Sequence, residues 1–358
     1  MSNNTTIPTE PIGSIPRTTE LIKGLQSFEK GNISQAQLDA LYEQAIHDTI
    51  RQFEATGSPV ITDGEQAKPS FATYPIAGLK SLAPDGVKIP FADGHVRQLP
   101  RLTSGPFRYQ VYAGQYLATA RKLTNVPLKQ AVISASALSL LYPRDGIVGY
   151  SQKDFLNDLV REAETDIRRC LDNGAHNVQI DFTEGRLAVK LDPSKKLLKD
   201  FISLNNRVLE RFSDAEREKI GVHTCPGGDQ DSTHSADVDY ANLIPDLFEF
   251  KAGNFYFQMA SEPDRVRVLK LIKENIRDNR RVFVGVIDPI NAEVETPETV
   301  RDRIIEASEH IPLNQLGTTD DCGFSPFGDD TSTARKIAFD KIRARIEGTQ
   351  LAGQALGL

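Results

Sequence analysis

The sequence predicts an α/β chain: a single eight-stranded (βα)8 barrel of the TIM type, with an insertion after its second strand. Two observations carry that prediction. Short β-branched runs end repeatedly in polar residues or glycine, and longer charged stretches with helical spacing separate them across all 358 residues. Eight such runs can be read in order, and eight strands alternating with helices favour a closed barrel over an open sheet. A two-domain α/β chain is the alternative with the same rhythm.

The runs are PIGSI (11–15), SPVITDGE (58–65), LKQAVISAS (128–136), HNVQIDF (176–182), KIGVHTC (219–225), GNFYFQM (253–259), RRVFVGVIDP (280–289) and LNQLGTTDDCG (313–323). Between them, SQKDFLNDLVREAETDIRRCLDNG has a serine placed as N-cap, apolar residues three and four apart and a glycine stop. SEPDRVRVLKLIKENIRD repeats the pattern. One long excursion rich in proline and glycine, from Pro69 to Gln110, sits within an insertion spanning about 66–127; such insertions often line an active site. The whole chain, 1–358, is read as one domain.

A hydrophobic content of 39% supports a substantial core. The net charge of −7 is spread over interspersed acids and bases, so no basic patch points to nucleic acid or an anionic membrane. Residues 1–20 lack the basic start and apolar run of a signal peptide, and no segment approaches a membrane span, which places the protein in the cytosol. Three cysteines, Cys170, Cys225 and Cys322, do not suit a disulfide framework and are left for metal or catalysis.

Active sites of a βα barrel sit at the C-terminal ends of the strands. Ser14, Asp63, Glu65, Asp181, His223, Cys225 and Cys322 all fall there. His223 and Cys225, two apart on a strand, share a face, and Cys322 comes from a neighbouring strand. Two thiolates and an imidazole are a set that zinc accepts, and a position left open marks a catalytic site. Plainer readings apply nearby. Asp63 and Glu65 can end a strand and cap the next segment, Asp181 can support a turn, and Glu184 and Arg186 read as solvent-facing. Cys170, on an apolar helical face, reads as a small buried hydrophobe, and CPGGDQD lacks both common phosphate-loop patterns.

Six motifs, PIGSIPRT, DGE, VQID, HTC, GVIDP with ETPE, and DCGF, occur in an order that resembles the catalytic barrel of cobalamin-independent methionine synthases and their single-barrel relatives, including epoxyalkane:coenzyme M transferase. Nearly the whole chain takes part. The resemblance implies that His223, Cys225 and Cys322 hold Zn2+, and that Ile12, Gly13, Ser14, Glu65 and Asp181 bind the amino and carboxylate groups of homocysteine. Two carboxylates suit an ammonium, and a glycine followed by serine offers donors to a carboxylate.

Three departures stand out. Ala260 occupies the place of the synthases' glutamate ligand, with Glu262 two residues on as a further candidate; Ile290 replaces a D-x-H histidine; and Leu140 replaces the tryptophan that stacks on methylfolate. His234 remains as the candidate proton-transfer residue. The resemblance implies a zinc-dependent methyl or alkyl transferase acting on a thiol, most simply homocysteine, to give methionine. It would resemble a 5-methyltetrahydropteroyltriglutamate-homocysteine S-methyltransferase, with methylfolate, a methylcorrinoid or another compound as donor. Alternatives are a transferase or lyase acting on another thiol, coenzyme M among them, a metal-free decarboxylase-type barrel, and a non-catalytic barrel with structural zinc.

Overall fold

Six of the eight expected strands form one parallel sheet. The computed structural model describes residues 6–358 and begins with helices α1 (Thr19–Glu29) and α2 (Gln35–Ala55). The insertion follows, carrying four short strands, β1 (Leu82–Ala83), β2 (Lys88–Pro90), β3 (Val96–Gln98) and β4 (Arg101–Leu102), and helix α3 (Ala113–Ala120). Here β1 pairs with β4 and β2 with β3, both antiparallel.

Then come β5 (Gln130–Ile133), α4 (Ala135–Ser139), α5 (Gln152–Asp172), β6 (Val178–Asp181), α6 (Glu184–Leu191), α7 (Lys196–Leu209) and α8 (Asp214–Arg217). They are followed by β7 (Ile220–Thr224), the short β8 (Gly228–Asp229) and β9 (Ser232–Thr233), α9 (Ile244–Leu247), β10 (Asn254–Phe257) and α10 (Arg265–Asn275). The chain closes with β11 (Arg281–Ile287), α11 (Pro297–Ser308), β12 (Leu316–Asp320) and α12 (Arg335–Ala355).

The parallel order is β12-β11-β10-β7-β6-β5, and apart from Arg281 every residue of these strands is buried. Strands of a parallel sheet covered on both faces are buried along their length and so carry mostly apolar and β-branched residues. That is why these six were readable.

The two remaining runs, 11–15 and 58–65, are not ladder strands. The second contributes one parallel bridge, Ile61 to Leu128 just before β5, and Thr9, two residues before the first run, makes another with Thr318 of β12. The Ile15 amide donates to the Gly64 carbonyl at 3.0 Å, and the Thr62 hydroxyl to the Gly13 carbonyl at 2.7 Å. The backbone turns toward the site here instead of extending the ladder, and Glu65 stands at φ +56°, a conformation costly for a residue with a Cβ.

α5 begins as expected, the Ser151 hydroxyl accepting the Asp154 amide at 3.2 Å, and it buries Cys170 completely. Gly174, at φ +77°, terminates it. In α10 the cap is Asp264, not the serine three residues earlier, with its carboxylate accepting the Arg267 amide at 3.1 Å.

Near the N-terminal ends of the strands Glu10 is buried among Lys129 at 3.4 Å, the Tyr256 hydroxyl at 2.6 Å and Asn177 at 2.6 Å. Burial alone would raise this carboxyl, but Lys129, His176 and Tyr256 outweigh it and hold it at about 2. Burial draws Lys129 down to about 8, so the pair is ionised between those values. Among the described residues no helix is long and apolar enough to cross a membrane.

Candidate metal centre and active site

β7 presents His223 on one face, and the turn that follows carries Cys225. Cys322 sits just past the end of β12. One donor atom from each lies within 4.8 Å of the others, and all three residues are buried. Sγ of Cys225 is 3.2 Å from Sγ of Cys322, and no disulfide joins them. Two thiols so close cannot both ionise beside each other without a cation. The shared hydrogen bond accordingly pushes Cys225 well up and Cys322 well down.

Nδ1 of His223 lies 3.3 Å from the Tyr256 carbonyl on β10, which fixes the proton on that nitrogen. Nε2 then carries the lone pair, and it is buried with no protein partner. A tetrahedral zinc with ~2.3 Å Zn–S bonds separates its sulfur ligands by about 3.7 Å. The donor set, its spacing and the orphaned Nε2 therefore fit a metal ion with small side-chain adjustments.

Asp321, beside Cys322, accepts four hydrogen bonds from the segment after β10. The amides of Met259 and Ala260 each reach Oδ1 at 2.8 Å, and the Ser261 amide (2.8 Å) and hydroxyl (2.7 Å) reach Oδ2. Burial pushes its carboxyl up to about 6 even against these bonds. Gly285 gives it room, because a Cβ there would lie 1.9 Å from Oδ1. Ala260 is thus clamped near the donors but offers no ligand. Glu262 lies outside the three-donor group, 3.1 Å from the buried Arg186 guanidinium, which stacks over Tyr240.

Next to the donors is a cavity of about 30 Å³ whose wall includes Ile12, Ser14, Glu65, Asp181, His223 and Cys322. Five segments far apart in sequence converge on it. Glu65 pairs with the buried Lys68 at 2.7 Å, and Lys68 also donates to the Ala131 carbonyl at 2.9 Å. Asp181 accepts from Gln179 at 2.7 Å; burial raises its carboxyl to about 6 despite the nearby His223. The Ser14 hydroxyl accepts the Ser325 amide at 3.2 Å. Gly13 is not on the wall, its carbonyl being taken by Thr62. Asp63 serves the turn, Oδ1 accepting the Glu65 amide at 2.9 Å.

A second cavity, of about 810 Å³, adjoins the first and shares Phe71, Thr183, Gly227 and Gly228 with it. The insertion supplies one side through Phe71, Ile89, Phe91 and Leu99, and α4 with its C-cap supplies another through Leu138 and Leu140. His234 lines it, its ring edge-on to Phe91 at 5.4 Å and its Nδ1 hydrogen-bonded to Ser235; burial, with Lys190 and Arg186 adding to it, lowers it to about 4 and keeps it neutral. Ile290 packs toward Gly228.

Sequence reasoning missed three groups. Lys68 ties down Glu65, Asp321 clamps the 259–261 segment, and Glu184 lines the larger cavity. Glu184 and Arg186 are 5% and 2% exposed, not solvent-facing, because α6 turns its first residues inward toward α4 and Tyr240. The D-C-G motif was the one signal for Asp321; for Glu184 the partners lie about fifty residues earlier, and no local pattern marks them.

The family model described as "Cobalamin-independent synthase, Catalytic domain" matches residues 7–338. A protein named methionine synthase from Saccharolobus solfataricus is 23% identical, over 99% of this chain and 98% of its own length. One of the same name from Sulfurisphaera tokodaii is 22% identical over 98% of this chain and 94% of its own. Among solved structures, a B12-independent methionine synthase from Shewanella sp. W3-18-1, in complex with selenomethionine, superposes with a TM-score of 0.76 at 17% identity, covering 99% of this chain and 100% of that one. At that identity the likeness is one of fold.

Proposed function

The chain belongs to the cobalamin-independent synthase family, and from that premise we propose that it is a zinc-dependent methyltransferase that methylates homocysteine to methionine. We infer further that the bridges at Thr9 and Ile61 complete an eight-position barrel forming one domain, with 66–127 as its insertion. One observation carries the functional reading: residues from five separate segments, among them Ile12, Ser14, Glu65 and Asp181, wall one cavity together with two metal donors.

His223, Cys225 and Cys322 would hold the zinc, which would act as a Lewis acid, removing the proton of a thiol whose free pKa is about 8.5. Glu65 and Asp181 supply negative charge for an ammonium group, while the Ser14 segment faces the carboxylate. Those same carboxylates disfavour the sulfonate of coenzyme M, which carries no ammonium. The open cavity beside His223 and Cys322 also speaks against a purely structural metal, since a substrate atom can approach from that side. The missing glutamate ligand at Ala260 leaves that position to the substrate or to solvent.

The test is methylation of homocysteine and of coenzyme M by the zinc-loaded protein, with methyl iodide as donor and mass spectrometry as readout. Methionine formed at least tenfold faster than methyl-coenzyme M supports the reading. Equal rates, or no product above the uncatalysed reaction, contradict it.

A further inference from the structure

Glu184 opens α6, three residues past Asp181, and it is buried on the wall of the 810 Å³ cavity. Oε1 accepts the Ser134 hydroxyl at 2.6 Å and the Ser136 hydroxyl as well. Ser136 is in turn fixed by Asn205 at 2.6 Å, whose Oδ1 accepts the Ala135 amide at 2.9 Å. Oε2, in contrast, is buried with no partner at all. A buried carboxyl oxygen left unpaired is costly, and because Glu184 lies on the wall of the larger cavity, a small rotation of its carboxyl toward a ligand atom held there would relieve that cost.

Four other groups near the cavity do not suit proton delivery. Ile290 carries no proton, His234 is held neutral by burial, Asp321 is fully occupied by four donors, and Glu262 is paired with Arg186. Glu29, Arg97 and Asp329 also line the cavity, and Arg97 is tied between Asp229 and Asp329.

We propose that Glu184 is the proton donor to the leaving group of the alkyl donor, and that the donor held in the larger cavity is one whose departing nitrogen or oxygen gains a proton. This rests on the thiol-alkylation reading above. The thiol sulfur forms the new bond to carbon, and the bond from that carbon to nitrogen or oxygen breaks with its electron pair on the heteroatom. Oε2–H supplies the proton. The proton lost by the incoming thiol restores Glu184, so thiol plus donor gives thioether plus protonated leaving group. Sulfonium and corrinoid donors need no such proton.

The surroundings support a carboxyl that holds its proton near neutrality. Burial pushes it up to about 7, Asp181 adds to the rise, and the bonds from Ser134 and Ser136 limit it. Those hydroxyls also stabilise the carboxylate left after transfer.

The test compares the zinc-loaded wild type with Glu184→Gln, using homocysteine and three donors. 5-Methyltetrahydrofolate and 1,2-epoxypropane have leaving atoms that must be protonated, and methyl iodide does not. Glu184→Gln should lower the rate ratio, proton-requiring donor over methyl iodide, by about 100-fold, within the usual range for a general acid. An infrared carboxyl band that titrates near neutral pH in the wild type should be missing from the variant. An unchanged ratio, a missing band in the wild type, or a wild type that uses methyl iodide but neither other donor would overturn the proposal. Failure of the wild type with all three donors would instead bring down the thiol-alkylation reading beneath it, and the proposal with it.

Discussion

At the scale of single residues the site is held by a few buried polar groups with several partners each. Asp321 shows this most directly. Replacing it with alanine leaves the buried amides of Met259 and Ala260 without acceptors, each at about 1–3 kcal/mol, and frees the more exposed amide of Ser261. Asp321→Ala should therefore lower the melting temperature by several degrees and weaken metal binding about 10- to 100-fold, since it positions the chain beside Cys322. Differential scanning calorimetry and a competitive zinc titration check both. Gly285→Ala should act in the same direction, because its Cβ would displace the same carboxylate. Much at this scale was legible. His223, Cys225 and Cys322 were nominated by their residue types, their places at the ends of expected strands and the family resemblance together, and the structure brings the three together with Cys225 in the turn after β7. Glu184 and Lys68 were not legible, because the side chains they bind come from other elements, and burial depends on those.

At the scale of elements, the insertion and the segment after β7 close over the site together. Arg97 on β3 donates to Asp229 on β8 at 2.5 and 3.1 Å and to Asp329 at 2.9 and 3.0 Å, and its guanidinium lies 4.2 Å above the Phe327 ring. His95 adds a contact to Asp229 at 3.0 Å. The cavity beside the donors is small, about 30 Å³, and Phe71 of the insertion and Gly227 and Gly228 after β7 wall both it and the larger cavity, so these two segments set the room left for a thiol amino acid. Arg97→Ala removes charge-assisted bonds worth about 1.5–3 kcal/mol and should speed amide exchange across residues 86–100 by tenfold or more, with zinc content unchanged. Exchange rates equal to wild type would show that the insertion is held by other contacts. The first two expected strands failed as elements for a related reason. The backbone in and just before them is spent on single bridges and on turns such as the one at Glu65, which aim side chains at the cavity, and a pattern of alternating apolar residues cannot distinguish that from a ladder.

At the scale of the whole molecule, stability and function separate along the strands. The N-terminal ends carry the buried Glu10–Lys129 pair, and the C-terminal ends carry the donors and the cavities. Glu10 is depressed from 4.5 to about 2 in the folded chain, so its contribution is fully present above about 4.5 and is lost as the pH falls toward 2. Glu10→Gln leaves Lys129 buried without its countercharge, a loss of about 3–5 kcal/mol near neutral pH. Denaturant unfolding should show that gap at pH 7 and a narrowing of it between pH 4.5 and 2. A constant gap would mean that packing, not charge, sets it.

The central claim is that three buried side chains hold a zinc ion with a position open to a thiol. X-ray absorption and metal analysis of wild type and Cys322→Ser, each with and without homocysteine, test it most directly. The account predicts one zinc per chain in the wild type, bound by one nitrogen and two sulfurs and gaining one further sulfur with homocysteine, and loss of the metal in Cys322→Ser. A wild type that binds no zinc when supplied with it, or whose sulfur count does not change with homocysteine, would contradict it.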